Sequence, residues 1–234
     1  MILTLPGHSP TELGIKLINE GPYKQEPANR RIRGLLGERW IFDTLEAQYV
    51  WEHPYFPFYY VPAKAITLGP AKTTKEREDK AGFWLGTIHS GAKTAEVQDW
   101  FAEDEKLLGG HPKDPYKRIE ILPSTRQVRI EVNGAVVAQS TNNMFLHETM
   151  LRTRYYLPST SINDWSMLSK SDTVTFCPYK GQANYYHLKV GDTEIEDAIW
   201  YYVYPTHESA GIQGRLCFYD EKVDVFIDGV QETK

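Results

Sequence analysis

The strongest signals along the chain are short runs in which apolar and polar residues alternate with a period of two. RQVRIEV and AVVAQS flank Asn133-Gly134, a pair suited to the left-handed backbone of a type I′ turn, and predict a β-hairpin. ANYYHLKV and TEIEDAIWYYV around Gly191-Asp192 predict a second hairpin. GRLCFYDEKVDVFIDG reads as two further strands about Asp220-Glu221. Helical patterns are short and few: TSINDWSMLSK, Thr160 to Lys170, and TELGIKLIN near the start. Many short strands and few short helices predict an all-β fold built as a curled sheet or open barrel.

The pattern also repeats. QYVWEHPYFPFYYVP laid over MFLHETMLRTRYYLP sets Glu52 on Glu148, Tyr59 on Tyr155, Tyr60 on Tyr156 and Pro62 on Pro158 without a gap. The same register upstream puts Arg33 on Arg129 and GERWIFDT on NGAVVAQS. Downstream, VQDWFAED lies over KVDVFIDG, with Asp99 on Asp224 and Phe101 on Phe226. Three blocks in one order predict two diverged copies of one domain. The reading is an N-terminal arm over 1–30, a degenerate first copy over 31–110, a linker over 111–126 and a complete second copy over 127–234. Between the Tyr-Tyr-x-Pro block and the last strand the second copy is the longer, and its CPYKGQANYY has no expected counterpart. The first copy instead holds the polar run KTTKEREDK, read as a solvated loop or short helix.

Composition narrows the classes of function. The net charge of −5 gives no electrostatic footprint for nucleic acid or an anionic membrane surface. No window approaches the ~20 apolar residues of a membrane span, and the amino terminus has no basic stretch followed by an apolar run. With only two cysteines, Cys177 and Cys217, the chain has neither a disulfide framework nor a Cys-x-x-Cys metal pair. These features point to a reduced, cytoplasmic protein. Nothing in the sequence argues for an oligomer.

The blocks VRIEVNGAVVAQS, HET, RYYLP, CPYKGQANYY, AIWYY and CFYDEKVDVFIDG resemble, in order, the signature of the domain of unknown function 427 family. The first half, with YVWEHPYFPFYYVP and HPKDPYKR, resembles the amino-terminal copy of its tandem members. The resemblance implies a compact β fold similar to the β-tent of Mss4-like proteins, and it names no activity. A nucleotidyltransferase label attached to the family implies a Gly-Ser turn with paired carboxylates. The chain shows neither that pattern nor a phosphate-cradling glycine loop.

The candidate chemistry centres on residues 177–181, Cys-Pro-Tyr-Lys-Gly. The proline holds Cys177 extended and Gly181 permits a sharp turn, so Tyr179 and Lys180 sit on a short, stiff segment. Lys180 among aromatics suits a base, a Schiff-base nucleophile or a cation for a carboxylate or enolate oxygen. The plainer reading has Cys177 as a buried hydrophobe, Tyr179 packing and Lys180 reaching to water. Glu148 recurs as Glu52, which allows a structural role such as pairing with Arg154, whereas Arg154 stands where the first copy has Phe58. Of Tyr155 and Tyr156, strand alternation sends one to the core and the other outward. His147 and Glu148, adjacent on a strand, cannot readily share a metal ion with His187, and no metal or cofactor is expected. Trp165, Tyr156, Tyr186 and Trp200, with Arg154 and Cys177, are candidates to line an aromatic pocket for a small organic ligand. The expectation is therefore a cofactor-independent enzyme doing proton-transfer chemistry of isomerase, cyclase or lyase type, with Lys180, Tyr179 and Glu148 as its catalytic groups. The alternative is a non-catalytic metabolite- or protein-binding module.

Overall fold

The computed structural model describes residues 19–52, 54–67, 82–84, 87–90, 93–97, 99–109 and 111–233. The run KTTKEREDK and, apart from Asn19, the segment TELGIKLIN lie outside the described residues. The chain divides into two compact units, Met1–Pro115 and Tyr116–Lys234. Among the described residues both are mostly β with few short helical turns, and no sheet closes into a barrel. No described helix is long and apolar enough to cross a membrane.

The first unit contains β1 (Lys24–Pro27), β2 (Ile32–Leu36), β3 (Arg39–Thr44), β4 (Gln48–Trp51), β5 (Phe58–Tyr60), β6 (Gly82–Trp84), β7 (Thr87–Ser90), β8 (Lys93–Glu96), β9 (Asp99–Ala102) and β10 (Glu105–Lys106). They form sheets ordered β1-β4-β5, β10-β9-β2-β3 and β6-β7-β8. Ile32, Ile41, Phe42, Tyr49, Tyr59 and Val61 supply its core.

The second unit contains β11 (Ile119–Ser124), β12 (Val128–Val132), β13 (Ala135–Ser140), β14 (Asn143–Glu148), β15 (Arg154–Leu157), β16 (Leu168–Cys177), β17 (Gly181–Val190), β18 (Thr193–Pro205), β19 (Leu216–Phe218), β20 (Asp224–Ile227) and β21 (Val230–Gln231). A seven-stranded sheet runs β11-β14-β15-β19-β18-β17-β16, and a four-stranded sheet runs β13-β12-β20-β21. Val128, Ile130, Val137, Val225 and Ile227 of the small sheet pack on Phe145, Leu157, Leu188, Ile199 and Phe218 of the large one. The strand β11 falls within the stretch read from sequence as linker, and β1 within the stretch read as arm.

Two sequence expectations are corrected. Thr160–Lys170 is not a helix: it holds 3-10 turns at Ser159–Ser161 and Trp165–Met167 and then enters β16. Asp164 accepts the Ser166 N–H at 2.8 Å and caps one turn, but the alternating LSKSDTVTFC that follows pairs along β17, a long-range gain the local pattern does not contain. The two strands expected about Asp220-Glu221 are present as β19 and β20, in different sheets. Tyr155 and Tyr156 are both packed, because the large sheet is covered on both faces: Tyr155 lies against the inter-sheet core and Tyr156 in a second cluster opposite it.

The duplication extends to the backbone. Arg33 faces Phe101 and Arg129 faces Phe226 in register, with the guanidinium over the phenyl ring at 5.6 and 4.5 Å. Bulges fall at Gly34/Leu35 and at Ile130/Glu131. Glu103 and Asp228, at φ 53° and 51°, each donate N–H to the carbonyl of Arg31 or Gln127. Each also accepts that residue's N–H on its carboxylate, at 2.9 and 3.0 Å. After the matching prolines come 3-10 turns at Ala63–Ala65 and Ser159–Ser161. In the chain position of β16-β17-β18 the first copy has the short meander β6-β7-β8, so the counterpart is abbreviated rather than lacking.

One core pair exchanges size between the copies. Gly34 faces Phe42, and a Cβ on Gly34 would collide with the phenyl ring. The matching positions hold Ile130 facing Ala138, both buried. Side-chain bulk is kept on one strand or the other, which tightly packed cores tolerate best. Phe42→Ala alone should cost about 3–5 kcal/mol and Gly34→Ile alone about 1–3 kcal/mol or more. The double substitution should lose clearly less than their sum in urea denaturation, and additive losses would contradict the shared pair.

Candidate functional site

The turn between β16 and β17 is fixed from several sides. Lys180 N–H donates to the Cys177 carbonyl at 3.3 Å, closing the turn. Gly181 has φ +99°, and a Cβ there would press on the Tyr204 carbonyl oxygen at 3.1 Å, so the position needs glycine. Thr206 N–H donates to the Lys180 carbonyl at 3.1 Å. The Tyr179 carbonyl accepts the hydroxyls of Ser209, at 3.0 Å, and Thr206. The 3-10 segment His207–Ile212, with Ser209 buried, therefore clamps the Cys-Pro-Tyr-Lys-Gly turn from outside the sheet.

From this turn the Lys180 ammonium donates to Glu148 Oε2 at 2.6 Å. Lys117, just before β11, reaches the other oxygen of the same carboxylate, Oε1, at 3.3 Å. The three side chains are 13 %, 7 % and 16 % exposed for Lys180, Glu148 and Lys117, so two ammonium groups share one carboxylate largely out of water. The Lys117 ammonium also lies 5.8 Å from the centre of the buried Tyr179 ring. Lys117 was hidden from sequence reasoning in a charged linker. The usable signal is its place two residues before Ile119, the strand partner of Glu148.

Glu148 shares a face of the large sheet with Leu146, by strand alternation. That face holds an aromatic cluster of Tyr156, Tyr185, Trp200 and Tyr202 around Cys217, with Tyr219 at its margin. Trp200 Nε1–H donates to the Tyr156 hydroxyl at 3.0 Å, and the two rings meet edge to face. Burial pushes the Tyr156 phenol and the Cys217 thiol far above their ordinary values, so both stay protonated. Burial likewise raises the Tyr202 and Tyr219 phenols.

Arg154 is on this face as well, 5.5 Å from the Trp200 ring, but does not pair with Glu148 as expected. It donates to Glu221 Oε1 at 2.9 Å and to Asp220, while Arg152 donates to the other Asp220 oxygen at 2.6 Å. Two guanidinium groups and two carboxylates thus balance. Arg154 holds the Glu221 carboxyl down to about 2, while burial, reinforced by Glu221, pushes the Asp220 carboxyl up. Sequence reasoning read Asp220-Glu221 as turn residues only.

The structure thus brings together Lys180, Tyr179 and Glu148, and on the same face Arg154, Tyr156 and Trp200. Cys177 is half-buried at the start of the turn, opposite Gly181. Tyr186 and Trp165 are not brought in: Trp165 packs edge-on against Tyr186, which stacks on Tyr201 and packs against the inter-sheet core. Tyr186 follows Tyr185 on β17, so strand alternation sends Tyr185 to the aromatic face and Tyr186 to the inter-sheet core. His147 pairs with the Thr153 hydroxyl at 3.1 Å, and His187 Nδ1 accepts the Asp197 N–H at 3.0 Å. Among the described residues no three His, Cys, Asp or Glu side chains are grouped to hold a metal ion.

These features define a tandem all-β protein in which the second copy carries a buried ion cluster beside an aromatic sheet face. The chain belongs to the family described as a domain of unknown function (DUF427), whose model matches residues 24–100 and 120–229, one segment in each copy. Comparison with curated proteins finds no match.

Because the folded Glu221 carboxyl lies below its unfolded value of 4.5, its contribution is present above that value and lost as pH falls toward 2. Wild type should therefore melt above Glu221→Gln near neutral pH, and the gap should close as pH drops through that window. A gap unchanged in acid would remove the Arg154–Glu221 pair from the description.

Proposed function

We propose that the second copy acts on a small organic molecule by cofactor-independent proton transfer, of isomerase, cyclase or lyase type. The supporting observation is the 2.6 Å contact of Lys180 with the buried Glu148, held by a clamped turn beside an aromatic face. In the isomerase case a proton α to a carbonyl passes to the Glu148 carboxylate while the Lys180 ammonium stabilises the enolate oxygen. The same proton then returns to a different carbon, so no electron acceptor takes part. Tyr179 is the positioning residue of the turn. Arg154 borders the ligand in this reading, with the Trp200 ring beneath it and the buried Tyr156 holding that ring by a hydrogen bond.

The free thiols Cys177 and Cys217 suit a cytoplasmic protein. The mildly acidic chain gives nucleic acid no footing. A second reading, a non-catalytic metabolite-binding module, draws on the engagement of both Glu148 oxygens by lysines, which favours recognition over base catalysis.

Thermal unfolding of wild type and Lys180→Met against a fractionated metabolite extract, with native mass spectrometry of stabilising fractions, tests the proposal. A ligand at about a hundred times its Kd adds about 2.7 kcal/mol. Stabilisation that weakens in Lys180→Met, followed by turnover of the identified compound, is expected. Stabilisation without turnover selects the binding module. Equal stabilisation of the variant, or none from any fraction, overturns both readings.

A further inference from the structure

The three groups of the cluster do not sum to zero. Glu148 carries one negative charge, and Lys117 and Lys180 carry one positive charge each. Among the described residues no other carboxylate forms an ion pair with either lysine, and the nearby Arg152, Arg154, Asp220 and Glu221 balance one another. An ammonium that is mostly withdrawn from water is costly unless it is answered by charge. One shared carboxylate answers only half of this pair.

The aligned carboxylate of the first copy takes a tyrosine hydroxyl. Glu52, which aligns with Glu148, accepts the hydroxyl of Tyr60. In the second copy the aligned Tyr156 hydroxyl instead accepts from Trp200. The lysines differ between the copies: Lys180 comes from the Cys-Pro-Tyr-Lys-Gly turn, and Lys117 stands at a position aligned with Gly21.

We infer that Lys117 and Lys180 form a monoanion-recognition site whose ligand is a small molecule carrying a carboxylate, with Glu148 holding the two ammonium groups side by side. The inference rests on the small-molecule reading above and names its substrate class. The net charge sets the class: a carboxylate brings the cluster to zero, whereas the dianion of a phosphate monoester would leave it negative. The Tyr179 ring under Lys117 and the aromatic face nearby suit an aromatic or unsaturated body on that carboxylate.

The test is a titration of the full chain, followed by backbone amide NMR shifts, with benzoate, benzamide and phenyl phosphate at matched ionic strength. Benzoate should give saturable shifts around Lys117, Tyr179 and Lys180, with affinity at least about tenfold above benzamide. Lys117→Met should abolish that preference and Lys117→Arg should keep it, and an unchanged spectral dispersion would show both variants folded. Benzamide equal to benzoate, a preference that survives Lys117→Met, tighter binding of phenyl phosphate, or no saturable response to benzoate each overturns the inference. If Lys180→Met still loses an extract-derived ligand in those cases, the carboxylate class falls and the small-molecule reading stands. If that loss is absent too, both fall.

Discussion

A carboxylate taken out of water at the end of a β-strand has to be met by donors or cations, and Glu148 meets this demand with two ammonium groups. Much of the second copy is arranged around that requirement. The edge strand β11 brings Lys117 beside the end of β14, and the clamped turn after β16 brings Lys180 from the far side. Ser209, from the 3-10 segment, and Thr206, just before it, secure the turn by its Tyr179 carbonyl. A stiff turn limits the entropy lost in holding a long lysine side chain to one partner. The cluster is consequently a preorganised charge arrangement rather than a surface ion pair of small worth.

The two copies show which parts of the domain are shared and which differ. The hairpin with its bulge, the Arg–Phe pair, the left-handed turn residues Glu103 and Asp228, and the 3-10 turn after proline recur with matching hydrogen bonds. These features set register and close sheet ends, so they serve structure wherever they occur. The exchange of Gly34/Phe42 for Ile130/Ala138 shows the packing surviving divergence through compensation. By contrast the meander β16-β17-β18, with its aromatic face, is much longer than β6-β7-β8 among the described residues, and its turn carries Lys180.

The local features were legible in the sequence. Asn133-Gly134 gave its hairpin because both residues take positive φ, and the aligned Glu, Tyr and Pro positions gave the duplication. The stiffness of the Cys-Pro-Tyr-Lys-Gly turn followed from residue chemistry. What stayed hidden depends on contacts between distant parts of the chain. Thr160–Lys170 has a helical pattern, yet most of β16 gains its stability by pairing with β17. Lys117 reads as linker charge until β11 is placed against β14. Asp220 and Glu221 read as turn residues until Arg152 and Arg154 approach them. Tyr155 and Tyr156 both turn out to be packed because the sheet is covered on two sides, which alternation alone does not specify.

If Glu148 is the shared partner of two ammonium groups, its loss strands both of them, whereas loss of Lys180 leaves the carboxylate with Lys117. A double-substitution cycle with Glu148→Gln and Lys180→Met, read by urea denaturation, measures this directly. Glu148→Gln should be the costlier single change, at about 3–5 kcal/mol, and adding Lys180→Met to it should recover part of the loss. Strictly additive losses, or a Lys180→Met cost equal to that of Glu148→Gln, would contradict the central place given to the Glu148 carboxylate.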